Sequence, residues 1–442
     1  MIIEFSVSNF RSIKELIEFS FQADSSKTHA DNLFDVTLDG DKSIRLLKTA
    51  AIYGANASGK SNVLKALDTF CQLVLNSTDF KNGESIPPNY YNPYLLDIES
   101  KNAPVHFKIA FIAQDLIRYD YEIKYSDKEI LFERLDFYPE GNKNLLFERT
   151  SQNDDSTIKF GRRFKQSDAP KRFISNRLYL SILGNLPHEQ LGNIYLYFRN
   201  IDIGSILDQE TIADWFNKVK IKANVDEPFR KRLENMIRNA DTQIETIGIS
   251  KDINAIPKFS FHLPDNASER VIKAKLSFDE NNEKLRPLNV VTFHNLYENG
   301  IWIGNTHDIK WDDQSAGTKL LFTIGGMILM KLQEGGTIAI DEFDSSLHTD
   351  LCGFLLDLFH YLDTNVKNAQ LLFTTHDVNL MSNERFRKDQ LWFTEKNKFG
   401  ATELFSAQDF SEVRDSTPLD KWYLNGKFGG KPKIKETDFI FG

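Results

Sequence analysis

Residues 52–62 read Ile52-Tyr53-Gly54-Ala55-Asn56-Ala57-Ser58-Gly59-Lys60-Ser61-Asn62, and residues 54–61 satisfy the pattern G-x-x-x-x-G-K-[ST]. The apolar run 46–53 before them reads as a strand that stops at Gly54. After them Val63, Leu67, Phe70 and Val74 are spaced as on one face of a helix. A loop between such a strand and such a helix is suited to wrapping phosphates. Glycines permit close backbone approach. Loop N–H groups and the helix N-terminus turn positive dipole toward an anion. Lys60 is expected to reach the β- and γ-phosphates, and Ser61 to ligate Mg2+. The candidate nucleotide-binding residues are Gly54, Ala55, Asn56, Ala57, Ser58, Gly59, Lys60, Ser61 and Asn62. A chance glycine-rich turn is the alternative, and the strand before and helix after it speak against that.

Three downstream stretches bear on the same chemistry. Thr337-Ile338-Ala339-Ile340-Asp341-Glu342 is an apolar strand ending in two carboxylates. Asp341 would hold Mg2+, directly or through water, and Glu342 would polarise an attacking water. Many strands end in a charged turn, so this stretch gains its meaning from the phosphate loop upstream. Residues 369–374 form another apolar run that leads into Thr375-His376-Asp377. Strand ends of an α/β sheet gather at one edge, where ligands bind. His376 is there placed to sense a γ-phosphate, and a solvated turn histidine is the plainer alternative. The candidate catalytic residues are Lys60, Glu342 and His376. Finally, Asp312-Asp313-Gln314-Ser315-Ala316-Gly317-Thr318-Lys319 precedes an apolar helix over 318–333, stopped by Gly335-Gly336. Ser315 fits an N-cap and Gly317 allows close approach. This second anion-ready helix start either caps a core helix or closes over ATP held by a second copy of the chain.

The remainder organises around these motifs. Ile3, Phe5 and Val7 alternate with polar residues, and the runs 105–112 and 117–123 read as antiparallel strands. Residues 211–219, 227–238 and 350–362 look helical, and alternation returns at 287–293. The expected fold is α/β: a central mixed or parallel sheet, an antiparallel β-subdomain and a helical insertion. The expected domains are an N-terminal lobe over 1–150, a mainly helical insertion over 151–285 for partner or oligomer contacts, and a C-terminal lobe over 286–442.

With 442 residues, 41% of them hydrophobic, the chain can build more than one core. A charged fraction of 26% with modest Gly and Pro describes a folded protein. A net charge of −9 excludes a generic nucleic-acid coat, though not a local basic patch. One such patch is Lys159-Phe160-Gly161-Arg162-Arg163-Phe164-Lys165, followed by Lys171 and Arg172. It reads either as a nucleic-acid contact or, more plainly, as basic residues guarding a sheet edge. Cys71 and Cys352 sit in apolar runs and read as buried hydrophobes, not as a disulfide or zinc site. No secretion signal and no apolar run of about 18 residues is found, so a cytoplasmic protein without membrane contact is expected.

Taken together, these motifs make the chain resemble the ABC-type ATPases of the SMC, Rad50 and RecF kind. More closely, it resembles the OLD-like and abortive-infection ATPases of bacterial anti-phage defence. Ser8-Asn9-Phe10-Arg11-Ser12 is similar to that group's N-F-[RK]-S element, which implies that Arg11 lies near the nucleotide. Residues 314–319 are similar to an ABC signature, with Ala316 where a glycine or polar residue is usual. Ser345-Ser346-Leu347-His348 resembles a D-loop. Trp422-Tyr423-Leu424-Asn425-Gly426-Lys427-Phe428-Gly429-Gly430-Lys431-Pro432 is similar to an ending common in stand-alone defence ATPases. Asn176-Arg177-Leu178-Tyr179-Leu180-Ser181 is matched more loosely.

The resemblance implies Mg-dependent ATP hydrolysis in a homodimer or higher homo-oligomer, with Ser315, Ala316 and Gly317 acting in trans. Lys60 and Asp341 lie far apart in the chain, yet no sustained heptads fill the interval, so a compact insertion is expected instead of a coiled coil. The stretch after His376 is too short for the nuclease domain of OLD-type relatives, and the nine histidines form no H-N-H pattern. A separately encoded effector, a nuclease or toxin, is therefore expected. The alternative is an ATP-gated DNA-binding clamp of the RecF or SMC kind. A transporter's ATP-binding subunit would need a shorter spacing and a membrane partner.

Overall fold

The computed structural model describes residues 1–40, 42–152, 155–165, 174–184, 186, 188, 190–240, 243–250 and 288–431. The chain forms two compact units. The first comprises Met1–Ile206, Lys331–Asp344 and Cys352–Gly442; the second comprises Leu207–Met330 and Ser345–Leu351.

The first unit holds two large sheets. One has six strands in the order Ile201–Ser205, Thr337–Asp341, Gln370–Thr374, Thr49–Gly54, Leu391–Lys396, Thr402–Ser406. The first five are parallel, and the last is antiparallel to its neighbour. Thr337–Asp341, Gln370–Thr374 and Thr49–Gly54 are buried along their whole length. That explains their continuous apolar sequence, because central parallel strands are covered on both faces. The other sheet is antiparallel with seven strands: Asp155–Phe160, Asn144–Gln152, Ile130–Phe137, Arg118–Tyr125, Val105–Ile112, Ile2–Ser8 and Ile17–Ser20.

The helix Lys60–Asn76 joins the two sheets into one core, burying Val63, Leu64, Leu67, Phe70 and Val74. Phe70 alone meets Phe5, Phe107, Tyr121 and Phe198 at centroid distances of 5.5–6.2 Å.

A buried ion pair sits inside this core. Glu133 and Arg149 have fully buried side chains 3.7 Å apart. The Glu133 carboxylate accepts from the Tyr121 hydroxyl (2.8 Å) and from the backbone N–H groups of Tyr179 (2.7 Å) and Leu180 (2.8 Å). Arg149 donates to the carbonyls of Arg177 (2.5 Å) and Ser175 (2.8 Å). The pair thereby fastens the stretch containing Asn176–Ser181 onto the antiparallel sheet.

His360 closes the helix Thr349–His360 against the parallel sheet, its Nε2 2.9 Å from the Thr49 hydroxyl. Burial, then the charges of Lys48, Arg385 and His29, push its pKa down to about 3. The folded chain therefore refuses a proton that the unfolded chain accepts below about pH 6.5. Its contribution is complete above pH 6.5 and falls away toward pH 3. His360→Gln is expected to flatten the loss of unfolding free energy on acidification across this window by up to about 1.4 kcal/mol per pH unit, measured by denaturant melts at several pH values.

The second unit pairs the helices Gln209–Val225 and Glu227–Ala240 with a three-stranded antiparallel sheet, Ile244–Ser250, Asn289–Glu298 and Ile301–Lys310. Asp208 caps the first helix by accepting from the N–H groups of Glu210 and Thr211. A helical stretch over 316–334 follows, with a π turn at Leu321–Gly325. Gly325 and Gly326 sit at that turn because Met236 and Val219 approach so closely that a Cβ would stand 2.2 and 2.4 Å from them.

These units do not coincide with boundaries at 151 and 285. Asp155–Phe160 is an edge strand of the seven-stranded sheet, and Ile201–Ser205 is an edge strand of the parallel sheet. The latter is only half buried and carries Gly204, so no local period marks it. Its partner, Thr337–Asp341, is remote in sequence.

Candidate nucleotide-binding site

The phosphate loop joins the central strand Thr49–Gly54 to the helix Lys60–Asn76. Ala57 (φ 61°) and Gly59 (φ 111°) take left-handed backbone, which turns the loop in a way few side chains tolerate. Gly59 cannot carry a Cβ, because one would stand 2.1 Å from the Thr402 hydroxyl. Ser58 is buried: its hydroxyl lies 2.6 Å from the Thr394 hydroxyl, and its carbonyl accepts from Thr402 Oγ1 at 2.9 Å. Asn62 donates to the Ser12 hydroxyl (2.6 Å), which also meets Thr402 Oγ1 (2.7 Å). A hairpin and the N-terminal Asn9-Phe10-Arg11-Ser12 element therefore clamp the loop from outside. Ala55, Asn56, Ala57 and Ser61 remain at least partly open to solvent.

Lys60 is buried and folds back, donating from Nζ to the carbonyls of Gly54 (3.0 Å) and Ala55 (3.2 Å). Burial lowers its pKa, opposed by the carboxylates of Glu342, Asp341 and Asp344. His376 is lowered by desolvation and then by Lys60, against Asp344, Glu342 and Asp341. Its side chain is nonetheless exposed, so part of the ring faces protein and part faces water. The five groups share one electrostatic neighbourhood at one edge of the sheet.

Thr374 organises the acidic pair. Its hydroxyl donates to Asp341 Oδ1 (2.6 Å) and accepts the N–H of Glu342 (2.8 Å). Glu342 itself is held at φ 61°, a strained backbone that marks functional turns. The His376 N–H donates to both oxygens of Asp344 at 3.3 Å. Thr374→Val keeps the shape and removes both hydrogen bonds. The loss of both is expected to lower the unfolding free energy by about 1–2 kcal/mol, measured by denaturant melts.

Ser61 and Asp341 offer hard oxygen donors of the kind Mg2+ takes, a hydroxyl and one carboxylate, with phosphate and water completing the shell. Among the described residues no cluster of three or more His, Cys, Asp or Glu forms a metal cage. Arg11 (φ 50°) is exposed over the Phe10 ring. It lines a cleft of about 450 Å³ with Ser12, Tyr91, Tyr94, Leu96 and Lys396, and Ser12 is the residue hydrogen-bonded to the loop's Asn62.

In the second unit, Ser315 caps its helix by accepting from the Thr318 N–H at 3.0 Å. A Cβ on Gly317 would stand 3.5 Å from the Ser346 carbonyl oxygen, so the signature-like turn and the D-loop-like segment are neighbours. Ser315 and Ala316 are exposed. The basic stretch falls partly on the edge strand Asp155–Phe160, and Arg163 pairs with Glu140 at 3.6 Å; Lys171 and Arg172 lie outside the described residues. Cys71 and Cys352 are buried free thiols, and burial pushes Cys352 up to about 12.

The loop, the two carboxylates and the histidine were legible in the sequence, and Ser12 stood in the N-F-[RK]-S element without a role of its own; Thr374, Thr394, Thr402 and Asp344 were not assigned to the site. Thr374 ends a legible apolar run and Asp344 follows the acidic pair, so a local signal existed for these two. For Thr394 and Thr402 there was none.

A phosphate loop on the central strand of a parallel sheet, with an acidic strand end and a histidine turn at the same edge, defines a P-loop nucleoside-triphosphatase fold. The chain belongs to the family described as "AAA domain, putative AbiEii toxin, Type IV TA system", whose model matches residues 50–382. None of the curated proteins compared with it matches in sequence. Solved structures similar in outline include an Smc head bound to the C-winged helix domain of ScpA, at 12% identity, covering 92% of this chain and 97% of that chain with a TM-score of 0.42. A second is the Smc head domain with an extended coiled coil bound to the C-terminal domain of ScpA, from Pyrococcus furiosus, at 10% identity, 97% and 99% coverage and a TM-score of 0.42. A third is the recombination mediator protein RecF with ATP, at 12% identity, 91% and 97% coverage and a TM-score of 0.35. Among the described residues no helix is long and apolar enough to cross a membrane.

Proposed function

We propose that this protein binds and hydrolyses Mg-ATP at a seam between two copies of itself, and that it acts in the cytoplasm as sensor and regulator of a separately encoded effector in anti-phage defence. The observation that carries the ATPase reading is the convergence of Lys60, Asp341, Glu342 and His376 at one sheet edge. The family description, with its toxin and toxin–antitoxin terms, supports the defence role. The DNA-clamp alternative finds less support, because the described basic residues fall on or beside a sheet edge and Arg163 is paired.

In this reading Lys60 exchanges its two loop carbonyls for β- and γ-phosphate oxygens. Loop N–H groups hold the remaining charge. Mg2+, held by Ser61 and Asp341, neutralises the phosphates when bound. Glu342 takes a proton from the attacking water, whose oxygen bonds to the γ-phosphorus as the bond to the bridging oxygen of ADP breaks. His376, whose pKa is lowered by partial burial and by Lys60, donates one ring N–H to the γ-phosphate. Ser315, Ala316 and Gly317 of the second copy close over it.

A mixing experiment tests the shared site. Lys60→Ala and Ser315→Arg are each expected to be inactive alone. Mixed, they form heterodimers with both defects in one site and none in the other, restoring up to about a quarter of wild-type ATPase activity. A mixture as inactive as its components would remove the support for a seam between copies.

A further inference from the structure

The segment Trp422–Gly430, singled out in the sequence, lies outside the residues that the family model matches. In the first unit it packs against the phosphate loop. Leu391–Lys396 runs beside Thr49–Gly54 with Thr394 opposite Gly54. Phe393 of that strand stacks on Phe428 (centroids 4.6 Å apart, planes at 16°) and on Tyr423 (5.6 Å, 22°). Tyr423 also meets Tyr53, the residue before the loop, at 5.9 Å, and its hydroxyl donates to the Gly430 carbonyl at 3.3 Å. Gly430 has φ 63°. A Cβ on it would stand 3.3 Å from the Thr394 carbonyl oxygen and 3.6 Å from the Gly54 Cα.

We infer that Tyr423, Phe428 and Gly430 form a positioning element for the phosphate loop, holding its Gly54 edge in register for ATP. The inference rests on the ATP-binding reading and adds which residues outside the shared family region set the loop's geometry. A phosphate loop grips mainly through backbone N–H groups, whose direction decides affinity. Gly54 is pinned on one side by Thr394, since a Cβ on Gly54 would stand 2.5 Å from the Thr394 hydroxyl and 2.7 Å from its carbonyl oxygen. Gly430 closes the same edge with hydrogen where any larger group would press on that carbonyl. The aromatic stack holds Gly430 there.

The test compares Gly430→Val with Gly426→Val. Gly426 has a similar positive φ, 72°, but a Cβ there would meet nothing within 4 Å. Both variants place a β-branched residue at positive φ, and only one reaches the loop. Mg-ATP affinity is read by titration with a fluorescent ATP analogue, KM and kcat by phosphate release, and Tm without nucleotide. Gly430→Val is expected to weaken affinity tenfold or more, with the loss in KM more than in kcat. Gly426→Val should stay within twofold of wild type at a comparable Tm. Equal affinities for the two variants, whether both lowered or both unchanged, would overturn the inference while leaving ATP binding intact. An unsubstituted protein that binds no ATP would sink the ATPase reading and this inference with it.

Discussion

Glu342→Gln is expected to lower ATP turnover by about 100-fold to 1,000-fold while leaving ATP binding intact. The amide matches the carboxylate in shape but cannot take a proton from water. The backbone of the turn is held by groups other than that charge. The Glu342 N–H is held by Thr374, and its left-handed backbone belongs to the turn after Asp341. Removing one negative charge beside the phosphates should, if anything, tighten ATP. The nucleotide-bound pair of subunits is then expected to accumulate. Single-turnover phosphate release, nucleotide titration and sedimentation with ATP check the three parts separately. Turnover unchanged from wild type would show that Glu342 is not the base.

Arg149→Leu is expected to cost about 3–5 kcal/mol in unfolding free energy. Its partner Glu133 is fully buried, and burial already raises the Glu133 pKa against the pull of Arg149. Without the guanidinium, Glu133 must stay charged in an apolar core or take up a proton. The carbonyls of Arg177 and Ser175 lose a donor at the same time. The double variant Glu133→Gln/Arg149→Leu should recover part of the loss, because the amide oxygen can still accept from the N–H groups of Tyr179 and Leu180. Denaturant unfolding of the two variants decides the point. A single variant within about 1 kcal/mol of wild type would mean that the pair contributes little and that its neighbours relax around the gap.

The parts of the site legible in the sequence are those whose chemistry is local. Residues 54–61 must appear consecutively, because one short loop has to turn twice, expose its N–H groups and present Lys60 and Ser61 at a helix start. Asp341, Glu342 and His376 could be found because each follows a fully buried strand, which leaves an uninterrupted apolar run. Ser315 was legible as an N-cap for the same reason: cap and capped N–H lie three residues apart.

What the sequence alone determined, then, is the phosphate loop, the central strands, the helix Lys60–Asn76 and the identity of the acidic and histidine turns. Tertiary structure decided which strands lie side by side and what they bring to the loop. Thr394 and Thr402 reach Ser58 from 336 and 344 positions away, and Thr374 ties the Asp341 carboxylate at the end of the neighbouring strand to the backbone N–H of Glu342. Ile201–Ser205 became an edge strand through its parallel register with Thr337–Asp341. The physical reason is common to all of these. A strand's period of two specifies which face a side chain takes, but carries nothing about which distant strand will supply the hydrogen bonds at its edge.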